Sequence, residues 1–482
     1  YYEELYRLYI DENQPLERRY RQLRESLERV VRERIQGNSL QTTDLAARIN
    51  YVATQYELDI KEQNQLHTFR LTSNDILNHR KFPAKEEFLR DLRAVAFAYR
   101  KMFAQDIPLK LFSVLPKQEI TSLGKKEKKE YIRRIRVCFD YADDTYLYVH
   151  PVDIIADEPI RVVYNKPGIN HEFEETIKEL WRYAQLNLLD VFVDREGIYT
   201  PSFIVLEPDY LIDISSLAEC YKDYGSHPAN YFLSRLVPID NARPLLLGNI
   251  ANLFLDEWIH AGEEEPDYID CMKKAFRQYP IELAACAELR DPSKEKEFAK
   301  DCRMHFEHIR DIVQHTFLEP GYNLDKKDAV LEPSYICEAL GIQGRLDYMQ
   351  RDMSSFIEMK SGKADEFSIQ GKVEPKENNK VQMLLYMAVL EYSMGQDRRR
   401  MHPYLLYTRY PLLYPARASW AQVRRVINLR NRIVAAEYGV QFHNHPDFTR
   451  NLLAQINPEV MNERKLRGRF WEQYLKPSIS RL

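Results

Sequence analysis

The chain has 482 residues, of which 44% are hydrophobic and 29% charged, with only 15 glycines. This composition excludes a disordered or collagen-like chain and leaves core for about two to four domains. The formal net charge of −4 excludes bulk electrostatics as the means of holding nucleic acid, so any such binding must use a local basic patch.

Residues 1–112 read as helices. The segment Tyr2 to Ile35 is dense in Arg, Glu and Leu and lacks glycine. Its arginines interleave with glutamates, the pattern of a solvated helix face rather than a phosphate-binding stripe. Thr43 to Leu58 and Lys85 to Phe103 are further amphipathic segments. The region suits a scaffold or partner-docking bundle.

Residues 113–206 change character. After the run Lys125-Lys126-Glu127-Lys128-Lys129 come short β-branched and aromatic stretches at 132–139, 146–149, 160–164 and 202–206, separated by Asp, Pro and Asn. They predict a small β-rich module, a barrel or sheet, interrupted by a helical stretch from Asn170 to Leu189. Aromatics beside Arg133, Arg134 and Arg136 suit either single-strand binding by stacking and charge or a structural barrel.

From Leu206 the chain reads L-E-P-D-Y-L-I-D-I-S-S-L-A-E-C, with a helix start at Ser215 or Ser216 and Cys220 one turn in. A second helix opens near Leu245 and carries Gly248, Asn252 and Asp256 on one face. Residues 263–330 read as a helical insertion with acidic ends, and Glu332 as a strand-edge residue.

The densest constellation lies between Gly341 and Tyr386. Asp347 falls in the alternating run Ile342, Gly344, Leu346, Tyr348, which predicts a strand. Glu358 and Lys360 are one residue apart in a second apolar run and so share a face. If the two runs pair as a hairpin, two carboxylates and a lysine meet. Gln382 and Tyr386, four apart in a helical pattern, share one helix face. Paired carboxylates suit a hard divalent cation, which activates water toward a phosphodiester. A lysine one strand step away orients that water or neutralises the pentacovalent phosphate. The polar loop from Lys372 to Lys380 reads as a flap over this site. A further strand is expected at 403–410, and then helices from 416 to 482, with Arg424, Arg425, Arg430 and Arg432 as a cationic stripe.

The order G-x-x-D, E-x-K, Q-x-x-x-Y resembles the PD-(D/E)XK nuclease superfamily, and within it the RecB-like branch. Residues 200–415 are most similar to the nuclease domains of the eukaryotic flap-processing nuclease-helicase and of CRISPR-associated exonucleases. The resemblance implies an α/β fold: a restriction-endonuclease-like core, a mixed sheet flanked by helices, at 207–415. It implies metal-dependent hydrolysis of single-stranded or flapped DNA. Asp347, Glu358, the Met359 carbonyl and Asn252 would be ligands to Mg²⁺ or Mn²⁺. Asn252 stands where the family often has a histidine, and Asp256 lies one turn on as a substitute. Lys360, Gln382 and Tyr386 would complete the catalytic set, with Lys363, Arg424 and Arg425 touching DNA.

Relatives with an iron–sulfur cluster use an early cysteine and three late ones. Here Cys220 occupies the early position, but no cysteine follows Cys337, so no cluster is expected. The flap-processing relatives continue into a helicase. No P-loop motif occurs here and the chain starts Tyr1-Tyr2, so the resemblance implies the nuclease part of a longer nuclease-helicase, with a helicase domain or subunit as partner. Without a membrane-length apolar run or a signal-like start, a cytoplasmic protein is expected, nucleoid-associated if bacterial. The alternative is an inactive nuclease fold serving as a DNA-binding or assembly module.

Overall fold

The computed structural model describes residues 1–35, 44–117, 131–156, 158–221, 226–236, 242–367, 372–416 and 419–443. The lysine-rich run at 125–129 and the chain after residue 443 lie outside them. The described residues form a mixed α/β protein whose contacts cluster into two compact units, one within 1–208 together with 434–443 and one within 209–433. No described helix is long and apolar enough to cross a membrane.

In the first unit, five helices (Tyr2–Ile10, Leu16–Ile35, Leu45–Gln55, Ile60–Leu77, Lys85–Phe103) pack around Tyr20, Leu27, Phe69, Phe88 and Tyr99. Asp59 and Glu62 form a reciprocal capping box that fixes the start of the fourth helix. Cys138 and Tyr183 from the β-rich module join the same apolar cluster, so bundle and module share one core.

The strands of that module are Tyr131–Ala142, Tyr146–Pro151, Ile160–Val163, Gln185–Val193, Tyr199–Thr200 and Phe203–Leu206. The first pairs with both the second and the fourth, and the fifth bridges the third and the fourth. Five strands therefore close on themselves, with Phe203–Leu206 added beside the fourth. The helical reading of Asn170 to Leu189 is corrected here. Only Glu174–Lys178 is α-helical, and Gln185–Val193 is a strand that is buried on both faces from Gln185 to Leu189. A strand buried on both faces loses the period-two signal, which is why its apolar run resembles a helix.

The second unit is built on a five-stranded sheet in the order Leu412–Pro415, His402–Tyr407, Ser355–Lys360, Tyr348–Gln350, Ala329–Leu331. Ser355–Lys360 runs parallel to His402–Tyr407 and antiparallel to Tyr348–Gln350, so the sheet is mixed. Ile357 and Met359 pack into a cluster with Phe254 and Trp258 of the helix Arg243–His260 and with Phe306 and Ile309 of Pro292–Gln314. The residues between them, Glu358 and Lys360, point the other way, toward the helix Glu377–Met394. Alternation along one strand thus puts the apolar pair in the core and the charged pair on the opposite face.

A smaller sheet holds Ile212–Asp213, Ile342–Arg345 and Ser334–Cys337. Its antiparallel pair continues into the larger sheet as Ala329–Leu331 and Tyr348–Gln350. The ribbon breaks at Glu332-Pro333 on one side and Leu346-Asp347 on the other, where Glu332 N–H donates to the Asp347 carbonyl and Leu346 N–H to that of Pro333. Asp347 is therefore not inside a strand, as its alternating run predicts, but at the break between two. Lys372 to Lys380 is likewise not one loop: Lys372–Glu374 pairs with Asp365–Phe367, and the next helix begins at Glu377.

Candidate active site

Four elements of the second unit converge on one strand end. Beyond Tyr348 the neighbouring strand stops, leaving one edge of Glu358–Lys360 open. Asp347 fills it: its carboxylate accepts the Met359 N–H at 2.7 Å. A ladder bond is thus replaced by a side chain, which holds the Asp347 carboxylate at the strand edge.

Lys360 Nζ donates to Glu358 Oε1 at 2.9 Å and to Gln382 Oε1 at 2.7 Å. Gln382 Nε2 donates to the same Glu358 oxygen at 2.6 Å and to Ser215 Oγ at 2.9 Å. The lysine can only donate, so it fixes which end of the Gln382 amide faces it. An ammonium has three donors; two are used here, which leaves the third for a water or a phosphate oxygen. Glu358 is 4% exposed, yet its Oε2 is buried with no hydrogen-bond partner.

Burial, with Asp347 nearby, pushes the Glu358 carboxyl up to about 8. Burial also raises Asp347, to about 6, although the Met359 N–H and Lys360 oppose the shift. Burial alone would lower Lys360, but Glu358, Asp347 and Glu219 together outweigh it, and the lysine is raised and held protonated. One ammonium does not compensate two buried carboxylates, and groups so perturbed in one place mark functional sites.

Tyr386, one turn after Gln382, donates to the Arg345 carbonyl at 2.6 Å. A Cβ at Gly344 would lie 2.9 Å from the Tyr386 hydroxyl and 3.1 Å from Ile214. The glycine of G-x-x-D therefore lets the Gln382 helix approach the strand that leads to Asp347.

The helix Arg243–His260 presents Gly248, Asn252 and Asp256 in successive turns. A Cβ at Gly248 would meet Ser361 Oγ at 3.2 Å, which places that helix beside the end of the Glu358 strand. Asp256 is pushed up to about 6, by burial first and then by Glu332 and Asp347. Asn252 lies on the turn between them and is partly buried. Glu332 itself sits at φ +50, in the left-handed region that non-glycine residues occupy mainly under constraint, and pairs with Arg345 at 3.2 Å.

Among the residues expected to touch DNA, Lys363 and Arg425 are exposed. Arg424 is not: it is 7% exposed. Arg430, on the same stripe, is fully buried and donates to the carbonyls of Gly341 and Tyr210. The stripe is corrected accordingly, since two of its arginines are interior and cannot grip a phosphate backbone. Two contributors escape sequence reasoning. Ser215 reads as a helix start, but Asp213 is the cap, bonding Ser216 N–H at 2.8 Å and leaving the Ser215 hydroxyl for Gln382. Glu332 reads as a strand edge, and only the pairing across the ribbon break places it beside Asp347.

Among the described residues no group of three or more His, Cys, Asp or Glu side chains converges tightly enough to enclose a metal. The donor set is instead an acid pair, one of whose buried oxygens has no partner. That suits a hard cation that keeps several waters, as Mg²⁺ does. Neither the protein-family models nor the curated proteins gave a match to this sequence.

Proposed function

We propose that this chain is a Mg²⁺- or Mn²⁺-dependent deoxyribonuclease of the PD-(D/E)XK type, with the second unit as its restriction-endonuclease-like core. The observation that carries the reading is the Glu358–Lys360–Gln382 network beside Asp347, with a buried carboxylate oxygen unsatisfied. In this reading Asp347 and Glu358 hold the cation, with the Met359 carbonyl as a further oxygen donor and Asn252 and Asp256 one helix away. When bound, the cation supplies an activated water and neutralises charge on the phosphodiester. Lys360 orients that water or stabilises the pentacovalent phosphate with its third N–H. Gln382 holds the lysine, and Tyr386 holds the strand leading to Asp347. The substrate class, single-stranded or flapped DNA, and a helicase partner follow from the resemblance described above.

The test is cleavage of end-labelled single-stranded and flapped DNA with Mg²⁺, Mn²⁺ or EDTA, alongside Lys360→Ala. Products that need the metal and vanish in the variant support the nuclease. The absence of products with either metal, together with salt-sensitive DNA binding, favours an inactive nuclease fold acting as a binding module, a reading to which the asparagine at 252 lends weight.

The raised carboxyls give a pH prediction. A carboxyl whose folded value lies above its ordinary one stabilises the fold at low pH and loses that contribution as pH rises through the folded value. For Glu358 the window runs from about 4.5 to about 8. The metal-free protein should therefore lose thermal stability across this window. A cation that binds only the ionised pair should restore it, so the rise in Tm produced by about 10 mM Mg²⁺ should be larger at pH 8 than at pH 6. Differential scanning fluorimetry at the two pH values reads this out, and an equal or smaller rise at pH 8 would count against the assignment.

A further inference from the structure

The β-rich module has features that the catalytic reading does not use. Its first three strands are joined in sequence, and the fourth returns to lie beside the first, which is a Greek-key arrangement. The fifth strand closes the ring between the fourth and the third, and the short helix Glu174–Lys178 lies in the connection from third to fourth. Five-stranded Greek-key barrels of this kind bind oligonucleotides or oligosaccharides on the face of their second and third strands.

On the outward side of those strands lies an aromatic platform. Tyr146 and Tyr148 alternate with the buried Leu147 and Val149 and so point out of the barrel. The Tyr148 ring stacks on Tyr141 with centroids 4.2 Å apart and planes 12° from parallel, and Tyr141 is 50% exposed. Tyr146 meets Tyr148 edge-on at 6.5 Å. The guanidinium of Arg161, on the third strand directly opposite Tyr148, lies 5.6 Å from the Tyr146 ring. The Tyr148 hydroxyl donates to Asp143 in the adjoining turn, and that carboxylate also accepts the N–H groups of Thr145 and Tyr146. Asp143 is thereby tied into the turn that fixes the platform.

We infer that Tyr141, Tyr146, Tyr148 and Arg161 form a second nucleic-acid site, which holds single-stranded DNA or RNA by base stacking. Three rings and one cation suit unpaired bases, because every base has a π-face and stacking needs no particular sequence. Arg161 adds a phosphate or cation–π contact. Duplex would bind worse, its bases being stacked on each other already. The inference deepens the nuclease reading by giving it a strand-holding surface, but it does not depend on cleavage.

The test uses the full chain in EDTA, so that no cleavage can occur. A 5-iododeoxyuridine oligonucleotide of about 12 nucleotides, within the site size of such barrels, is photo-crosslinked and the modified peptides are mapped. Affinity is followed by anisotropy in wild type, Tyr148→Phe, Tyr148→Ala and Tyr141→Ala. Crosslinks within residues 141–161 are expected, with binding retained in Tyr148→Phe and weakened about tenfold in each alanine variant. Crosslinks confined to residues 209–433, unchanged affinity in the alanine variants, or tighter binding of duplex would each overturn it. A failed platform leaves metal-dependent cleavage untouched, whereas a failed nuclease leaves crosslinking at the platform untouched, so the two outcomes are separable.

Discussion

Glu358→Gln should reduce metal-dependent cleavage by about a thousandfold or more while leaving the fold intact. The substitution keeps the side chain's shape and can still offer an oxygen to Lys360 and Gln382, whose donors now meet at one atom of Glu358. It removes only the negative charge that the cation needs. The metal-free protein should tolerate this well, because the Glu358 carboxyl, pushed up to about 8, is largely protonated at neutral pH and already resembles an amide. The variant should be at least as thermally stable as wild type at pH 8 without metal, and Mg²⁺ should no longer raise its Tm. Lys360→Ala differs in this respect. It removes the ammonium that donates to Glu358 and Gln382 and leaves the buried Gln382 oxygen without that partner, so a stability loss accompanies the loss of cleavage. Initial rates on labelled DNA and melting curves with and without Mg²⁺ separate the two variants; wild-type cleavage by Glu358→Gln would sink the role assigned to Glu358.

Gly341→Ala is expected to be the most damaging small substitution in the second unit. Gly341 has φ +64, and a Cβ there would lie 2.3 Å from Arg430 Nη2 and 2.6 Å from its Cζ. The guanidinium has no room to retreat: it is wholly buried and donates to the carbonyls of Gly341 and Tyr210 and to Asn431. Left-handed strain costs an alanine about 1–2 kcal/mol. Overpacking and a broken buried hydrogen-bond set bring the loss to about 4 kcal/mol or more. Gly395→Ala is the control, because Gly395 has φ +72 but nothing within 4 Å of its would-be Cβ. It should lose only the strain. Urea unfolding of the two variants tests this, and equal losses would show that Arg430 packing contributes nothing.

Much of the site is legible in the amino-acid order alone, for a definite reason. Glu358 and Lys360 share a face by strand alternation, and Gln382 and Tyr386 by helical periodicity; both rules are local. The hairpin that brings Tyr348 opposite Ile357 needs only two short runs and a polar gap. What local rules miss is set by distant partners. Asp347 leaves its strand because the ribbon breaks against Glu332-Pro333. Arg430 looks like a solvent-facing cation from its own helix, and only Gly341, 89 residues earlier, makes the interior space that it fills. The stretch Gln185–Leu189 looks helical because both of its faces are covered. The closed barrel of the first unit depends on pairing between the first and fourth strands, which no spacing rule specifies.

The most direct test of the acid pair as a divalent-metal centre is Mn²⁺ binding followed by electron paramagnetic resonance at pH 8, in wild type, Asp347→Asn and Glu358→Gln. One tight site in wild type, lost or weakened by about a hundredfold in both variants, is the result expected of carboxylate ligands. Equal binding in all three proteins, or none in wild type, would contradict it.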